Sequence, residues 1–84
     1  MHELSLALEI CRIAERTVGV ERLPFVREVE LEIGTESDVE VANLSFCLDA
    51  LLSHRPFVEA SHHIVRAPGT DMRVLSLEVD DGGP

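Results

Sequence analysis

Apolar residues recur every three to four positions near the start of the chain, and this spacing predicts an amphipathic helix over residues Glu3 to Val18. Gly19 follows directly and is a typical residue at a helix end. Seven residues are expected to face the core, with the first four forming the centre of the stripe: Leu4, Leu8, Cys11, Ala14, Ala7, Ile10 and Ile13. The intervening charged residues are expected to face solvent.

Strict alternation of apolar and polar residues then predicts a strand over Phe25 to Ile33. Gly34 and the polar segment "TESD" end it. The set expected to face the core is Arg27, Val29, Leu31 and Ile33, and the set expected to face outward is Val26, Glu28, Glu30 and Glu32. The strand therefore presents a ladder of three glutamates on its outer face.

A second helix is predicted after "SDVE", residues Ser37 to Glu40, which has the spacing of a capping box. The helix is expected to end at His54 to Pro56. Its buried stripe is predicted to comprise Val41, Leu44, Leu48 and Leu51, with Cys47 and Leu52 beside it.

The rest of the chain predicts a β-hairpin of two strands, Val58 to Ala67 and Met72 to Val79, joined by "PGTD" at residues 68–71. With Gly69 and Thr70 as the turn, the expected pairs are Ile64 with Leu75, His62 with Leu77 and Ala60 with Val79. All six would lie on one face, so the register agrees with the hydrophobic pattern.

The element order α-β-α-β-β predicts an α+β fold in which two helices pack on one face of a three-stranded mixed sheet. The 84 residues suffice for a single small domain, residues 1–84, and 45% of them are hydrophobic. The net charge of −9 argues against nucleic acid or an anionic membrane as a partner. No apolar run approaches the ~20 residues of a membrane span, so we expect a cytoplasmic protein.

Two cysteines, Cys11 and Cys47, are far apart, and the chain has no CxxC motif. A zinc knuckle or thioredoxin-type site is therefore not predicted. Both thiols are interpreted as packing residues within helical apolar stripes. No nucleophile–base pair or phosphate-binding loop is evident, so no enzyme activity is predicted.

The opening "MHE" carries a ready chelate. The α-amine of Met1, the amide nitrogen of His2 and the His2 imidazole can reach one metal ion through small rings, and the amide or carboxylate of Glu3 can supply a fourth donor. Nitrogen donors in one plane suit Ni(II) or Cu(II) better than zinc. The simpler interpretation is that His2 is incidental and that Glu3 interacts with the helix dipole.

Three segments, "MHELSLA", "VEVANLSFCLDALL" after "LEIG", and "MRVLSLEVDD", resemble the HypA family of nickel-insertion accessory proteins. The resemblance spans nearly the whole chain in the right order. It implies a nickel metallochaperone with Ni(II) held by Met1, His2 and Glu3 for maturation of nickel-iron hydrogenase. It also implies two partners, an accessory GTPase of the HypB type and the hydrogenase large subunit, and it leaves homodimer formation open.

The family carries a zinc domain with two CxxC pairs between its last two strands, where this chain has only "PGTD". We therefore expect a nickel domain whose zinc domain is replaced by a hairpin turn, with no zinc bound. The alternative function is a HypA-like adaptor module that binds proteins but no longer carries metal.

Further candidates are weaker. Glu40 either belongs to the capping box, the simpler interpretation, or approaches the nickel site as an acidic residue of the family does. His62 and His63 are adjacent on a strand and point to opposite faces, so they cannot jointly chelate one ion. His62 is expected to be a satisfied core histidine, His63 an exposed residue and at most an auxiliary ligand, and His54 a favourable helix C-terminal residue. The glutamate ladder is interpreted as a solvated face, with a docking surface as the alternative.

Overall fold

A computed structural model describes residues 3–80 of the chain. Its elements are α1 (Glu3–Val18), a short 3₁₀ helix (Val20–Phe25), β1 (Val26–Gly34), α2 (Val41–Leu52), β2 (Ser61–Ala67) and β3 (Met72–Val79). The predicted bounds of α1 and β3 are confirmed, whereas β2 begins three residues later than expected. None of the helices within this range is long and apolar enough to cross a membrane.

The sheet has the order β2-β1-β3, with β1 parallel to β2 and antiparallel to β3. The α+β class and the mixed three-stranded sheet are confirmed. The predicted hairpin pairing of β2 with β3 is wrong, because β1 lies between them: Ile64 and Val74 both pair with Leu31 from opposite sides. Residues 68–71 do join the two strands, but they do so across the end of β1.

That connection is fastened to the end of β1 by backbone hydrogen bonds. The N–H of Gly34 donates to the carbonyl of Asp71 at 2.8 Å, and the N–H of Thr35 donates to the carbonyl of Ala67 at 2.7 Å. A Cβ atom on Gly34 would collide with the backbone of Gly69, so a residue without a side chain is needed at this crossing.

One apolar core lies between the helices and the sheet. Its fully buried large side chains are Ile10, Leu23, Val26, Val29, Leu31, Ile33, Leu44, Leu48 and Leu52. The predicted inward positions Val29, Leu31 and Ile33 are confirmed, and so is the outward placement of Glu28, Glu30 and Glu32. In α2, Leu44 and Leu48 are buried as predicted, but Leu52 is buried more deeply than Leu51.

Two strand predictions fail at β-bulges. An irregularity between Val26 and Glu28 gives β1 one residue more than β3, so Val26 turns into the core and Arg27 turns out. A second irregularity gives β3 one extra residue, Leu75, which is 42% exposed instead of facing the core. Alternation alone does not reveal such an insertion.

The buried stripe of α1 is rotated from the predicted one. Glu3, Ala7, Ile10 and Ala14 are buried, whereas Leu4 and Leu8 are 56% and 39% exposed. The sequence allows either stripe because apolar residues cover more than half of the helix circumference. Glu3 lies at the start of the buried stripe, where it accepts hydrogen bonds from Glu40 and Asn43.

Candidate functional site

Of the three predicted metal ligands, Glu3 lies within the described residues, as the first residue of α1. Met1 and His2 lie outside the described residues. The Glu3 carboxylate accepts hydrogen bonds from the backbone N–H of Glu40 at 2.9 Å (Oε2) and from the side-chain amide of Asn43 at 3.2 Å (Oε1). The residue is only 5% exposed. The first turn of α1 is thereby joined to the beginning of α2.

These hydrogen bonds control the ionisation of Glu3. The largest effect is that of the Glu40 N–H, burial opposes it, and the backbone N–H of Glu3 and the amide of Asn43 add to it; together they lower the pKa of the carboxyl from 4.5 to about 2. Glu3 is therefore an anion at neutral pH, placed at the N-terminus of α2, where the helix dipole favours negative charge.

Glu40 is the N-cap of α2, which corrects the predicted capping box. Helix α2 begins at Val41, and Oε1 of Glu40 accepts a hydrogen bond from the N–H of Asn43 at 3.0 Å. The hydroxyl of Ser37 accepts a hydrogen bond from the N–H of Val39 at 3.4 Å and does not cap the helix. Val39 packs against the core, so the chain remains extended up to Glu40.

A capping box normally pairs the N-cap with the third helical residue in both directions. Here the third residue is Asn43, and the acceptor for the N-cap N–H is Glu3 of the other helix. We call Glu3, Glu40 and Asn43 the helix corner. Each oxygen of Glu3 accepts one of these hydrogen bonds and keeps a second lone pair.

His62 lies within the fold between β2 and α2. Its side chain is 9% exposed, with Nε2 2.7 Å from Oγ of Ser45 and Nδ1 3.2 Å from Oδ1 of Asp49. The inward placement is confirmed, but the ring is only partly satisfied, since the buried Nδ1 lies near Asp49 without hydrogen-bond geometry. The sequence offered no signal for the Ser45 and Asp49 contacts, which depend on the parallel pairing of β2.

The remaining histidines have separate local roles. His63 lies on the opposite face of β2 and is exposed, so the prediction that His62 and His63 cannot share one ion is confirmed. His54 places Nδ1 2.7 Å from the carbonyl of Ala50 at the end of α2, as expected of a C-terminal histidine.

The glutamate ladder lies on the face of the sheet opposite the core, here called the open face. Glu32 accepts two hydrogen bonds from Arg73, at 2.7 and 3.0 Å, and Glu30 accepts one from the hydroxyl of Ser76 at 3.2 Å. Glu28 pairs in register with Glu78, so two carboxylates face each other across neighbouring strands. Within residues 3–80, no three His, Cys, Asp or Glu side chains are arranged to hold a metal ion.

The cysteines have the predicted packing role. Cys11 and Cys47 are free thiols, half-buried against the core. Burial raises the pKa of the Cys11 thiol. Neither contributes to a metal cluster within residues 3–80.

Comparison with known proteins identifies the family. Residues 1–78 match the family model described as HypA, hydrogenase/urease nickel incorporation, metallochaperone. The hydrogenase maturation factor HypA of Azotobacter chroococcum mcd 1 is 38% identical over 69 residues, covering 82% of this chain and 61% of that protein. The same factor from Rhodopseudomonas palustris (strain BisA53) has the same identity and coverage. The chain thus spans about three fifths of the length of these relatives.

The fold agrees with a solved member. The solution structure of the Ni metallochaperone HypA from Helicobacter pylori superposes with a TM-score of 0.76 at 16% identity, covering 94% of this chain and 97% of that one. The two structures share a fold of helices packed on a three-stranded mixed sheet. The chain belongs to the HypA family, as its sequence resemblance predicted.

Proposed function

We propose that this chain is a nickel metallochaperone that holds Ni(II) at Met1, His2 and Glu3 and delivers it for maturation of [NiFe]-hydrogenase. Family membership supports the class of function. The observation that supports this site is the helix corner, in which Glu3 is hydrogen-bonded to the beginning of α2. Glu3 directly follows Met1 and His2, which offer an amine, an amide and an imidazole.

Each proposed donor has a distinct role. The amine of Met1, the amide of His2 and the imidazole of His2 form the chelate, and the amide or the carboxylate of Glu3 supplies a fourth donor. The first N–H groups of a helix have no intrahelical acceptor, so their use as ligands breaks no helical hydrogen bond. Protonation of the amine and the imidazole releases the metal ion, which suits a protein that transfers its ion to a partner.

The partners are proposed from the family alone: an accessory GTPase of the HypB type and the hydrogenase large subunit. No zinc is expected, because residues 68–71 form a four-residue connection at the place where the resemblance implies an inserted zinc domain. Elemental analysis that finds one zinc ion per chain after dialysis against a weak chelator would contradict this.

Calorimetric Ni(II) titration tests the proposed site. A chain that starts at Met1 should bind close to one equivalent, whereas one added N-terminal glycine converts the Met1 amine into an amide and should abolish tight binding. His2→Ala should do the same by removing the imidazole. Far-UV spectra of all three should agree, since none of these changes touches the core.

Equal affinity with and without the added glycine would refute the N-terminal chelate. Absence of Ni(II) binding by the unmodified chain would instead favour the adaptor module that carries no metal.

A further inference from the structure

Strand β3 forms one edge of the sheet, and within residues 3–80 no strand pairs with its outer side. At its beginning, the N–H of Gly34 donates to the carbonyl of Asp71 at 2.8 Å. Along an antiparallel ladder, residues that exchange hydrogen bonds alternate with residues that do not. Arg73 therefore directs its backbone groups toward β1, whereas Met72 and Val74 direct theirs outward. These outward groups can pair with a further strand.

The end of β3 has the same arrangement. The N–H of Asp80 donates to the carbonyl of Phe25 at 2.8 Å, and β3 has no extra residue between Leu77 and Asp80. By the same alternation, Leu77 and Val79 direct their backbone groups outward. The side chains of all these outward residues lie on the apolar side of the sheet, where they pack against the core.

The bulge makes the two halves of β3 symmetric. In a regular strand, residues at equal distances from a peptide bond lie on opposite faces of the sheet. Leu75 is the extra residue of β3, so beyond it the faces are exchanged. Counted away from the Leu75–Ser76 bond, each half has a core-facing apolar residue, a charged residue on the open face and a second core-facing apolar residue: Val74, Arg73 and Met72 on one side, Leu77, Glu78 and Val79 on the other.

The charged residues of the two halves have opposite signs. The side chain of Arg73 is 66% exposed and donates two hydrogen bonds to one oxygen of Glu32, which leaves other N–H groups of the guanidinium available. Glu78 is exposed and stands opposite Glu28, and it forms no ion pair with another residue in the described part of the chain. A cation placed beside Glu78 would offset the repulsion between these like charges.

We propose that β3 pairs with β3 of a second copy of this chain, antiparallel to it and about a two-fold axis at the Leu75–Ser76 bond. The two three-stranded sheets then form one continuous sheet, with the helices of both copies on the same side. The outward backbone groups of each copy pair with those of the other. Arg73 lies opposite Glu78 of the second copy, and the symmetry of the pair makes this contact twice.

The charge pattern is the reason for choosing a second copy as the partner. The chain has a net charge of −9, so two copies repel each other in general. At this edge each cation meets an anion, and the 42% exposed side chain of Leu75 lies near its counterpart at the axis. Complementary charges thus select this orientation over others. The pairing needs no metal ion and is independent of the proposed nickel site.

Sedimentation equilibrium of the full chain in the presence of a chelator tests the pairing, and the unmodified chain should dimerise. Glu78→Arg places an arginine against Arg73 of the second copy and should weaken dimerisation about tenfold, or ~1.4 kcal/mol for the two contacts together. Arg73→Glu should do the same by placing two glutamates together. Glu30→Arg is the matched control, because it makes the same change of charge on β1, away from the edge, and should not weaken the dimer.

An equimolar mixture of the two edge variants gives the sharpest result. Glu78→Arg carries arginine at both positions, and Arg73→Glu carries glutamate at both, so each variant repels itself but attracts the other. The mixture should dimerise at concentrations where neither variant does so alone. A defect in folding would not be repaired by mixing, so recovery reports the pairing itself.

Three results would overturn the proposal. The first is an unmodified chain that stays monomeric up to millimolar concentration. The second is a dimer that persists equally in Glu78→Arg and Arg73→Glu, because the copies would then meet at another surface. The third is a mixture of the two variants that fails to recover. Recovery in the mixture, with an unchanged dimer in Glu30→Arg, supports pairing at β3.

Discussion

The helix corner and the open face of the sheet both carry carboxylates, in opposite settings. At the corner, Glu3 is nearly buried and accepts hydrogen bonds from residues of the other helix, far away in the sequence. On the open face, Glu28, Glu30 and Glu32 are half-exposed, and the partners of Glu30 and Glu32 lie on the neighbouring strand. The Glu3 carboxylate connects two helices, whereas the hydrogen bonds of Glu30 and Glu32 connect neighbouring strands of one sheet.

The difference shows what turns a surface charge into a structural one. A carboxylate that accepts a hydrogen bond from a backbone N–H within the fold satisfies a donor that would otherwise be unpaired. If the carboxylate is removed, the N–H loses its partner and the folded state is destabilised. A carboxylate on a wet face exchanges its partners with water at little cost. Two comparisons between the regions and one change on the open face alone, from the largest expected effect to the smallest, test this distinction.

Apolar truncation should show the largest contrast. Leu44 is fully buried beneath the helix corner, and Leu44→Ala should lower the free energy of unfolding by about 2–5 kcal/mol. Leu75, which the bulge in β3 turns to solvent, should cost only about 0.5 kcal/mol when replaced by alanine. Urea unfolding of both variants measures the two free energies. Similar decreases in the free energy of unfolding would contradict the assignment of Leu44 to the core and of Leu75 to the surface.

The next contrast concerns pH. The pKa of Glu3 is about 2 in the folded chain and ordinarily 4.5, so the unfolded chain binds this proton more readily. The stability that Glu3 supplies is therefore complete above about pH 4.5 and is lost as the pH falls through 2. Glu3→Gln should melt below the unmodified chain at neutral pH, by less than Leu44→Ala does, and the gap should close in acid.

Glu30→Gln is the matched control for that experiment. It removes a carboxylate of the open face that accepts one bond from Ser76, and it should change stability by no more than about 0.5 kcal/mol at neutral pH. If Glu3→Gln and Glu30→Gln melt alike across the acid range, the helix corner is not a structural junction.

The smallest effect should have the opposite sign. Glu28 faces Glu78 across the strand pair in a chain of net charge −9, so Glu28→Lys should stabilise the protein by about 0.2–1 kcal/mol. The gain should shrink in high salt, and Glu28→Gln should yield a smaller one. Destabilisation in low-salt melts would indicate that Glu28 has a stabilising partner on this face.

Local sequence patterns predicted the two α-helices and the three strands but not the order of the strands in the sheet. The bounds of α1 and β3 follow from periodicity within each segment, which tertiary contacts did not override. The hairpin was predicted because alternation in β2 and β3 places their apolar residues on one face; apart from Leu75 at the bulge, those residues also face the core when β1 lies between the two strands. A parallel pairing such as that of β1 with β2 joins residues far apart in sequence, and no short pattern encodes it.

The site was predictable to the same degree. The sequence singled out Glu3 and Glu40 separately, through their positions near predicted helix starts. The bond that joins their residues, from the N–H of Glu40 to Glu3, and the amide of Asn43 beside it depend on how the two helices pack. The S-x-x-E motif predicted instead that Ser37 accepts the hydrogen bond from the N–H of Glu40. The actual acceptor is Glu3, which is distant in the sequence, and a local motif cannot identify it.

The central place of β1 also matters while the chain is being made. Val26–Gly34 leaves the ribosome before either of its neighbours, so both of its edges stay bare until residues 61–79 have been synthesised. Its inner side chains are among the most hydrophobic of the chain, and a bare hydrophobic strand is open to pairing with another copy. Glutamate occupies every second position, on its outer face, so repulsion between like charges opposes the pairing of two such strands.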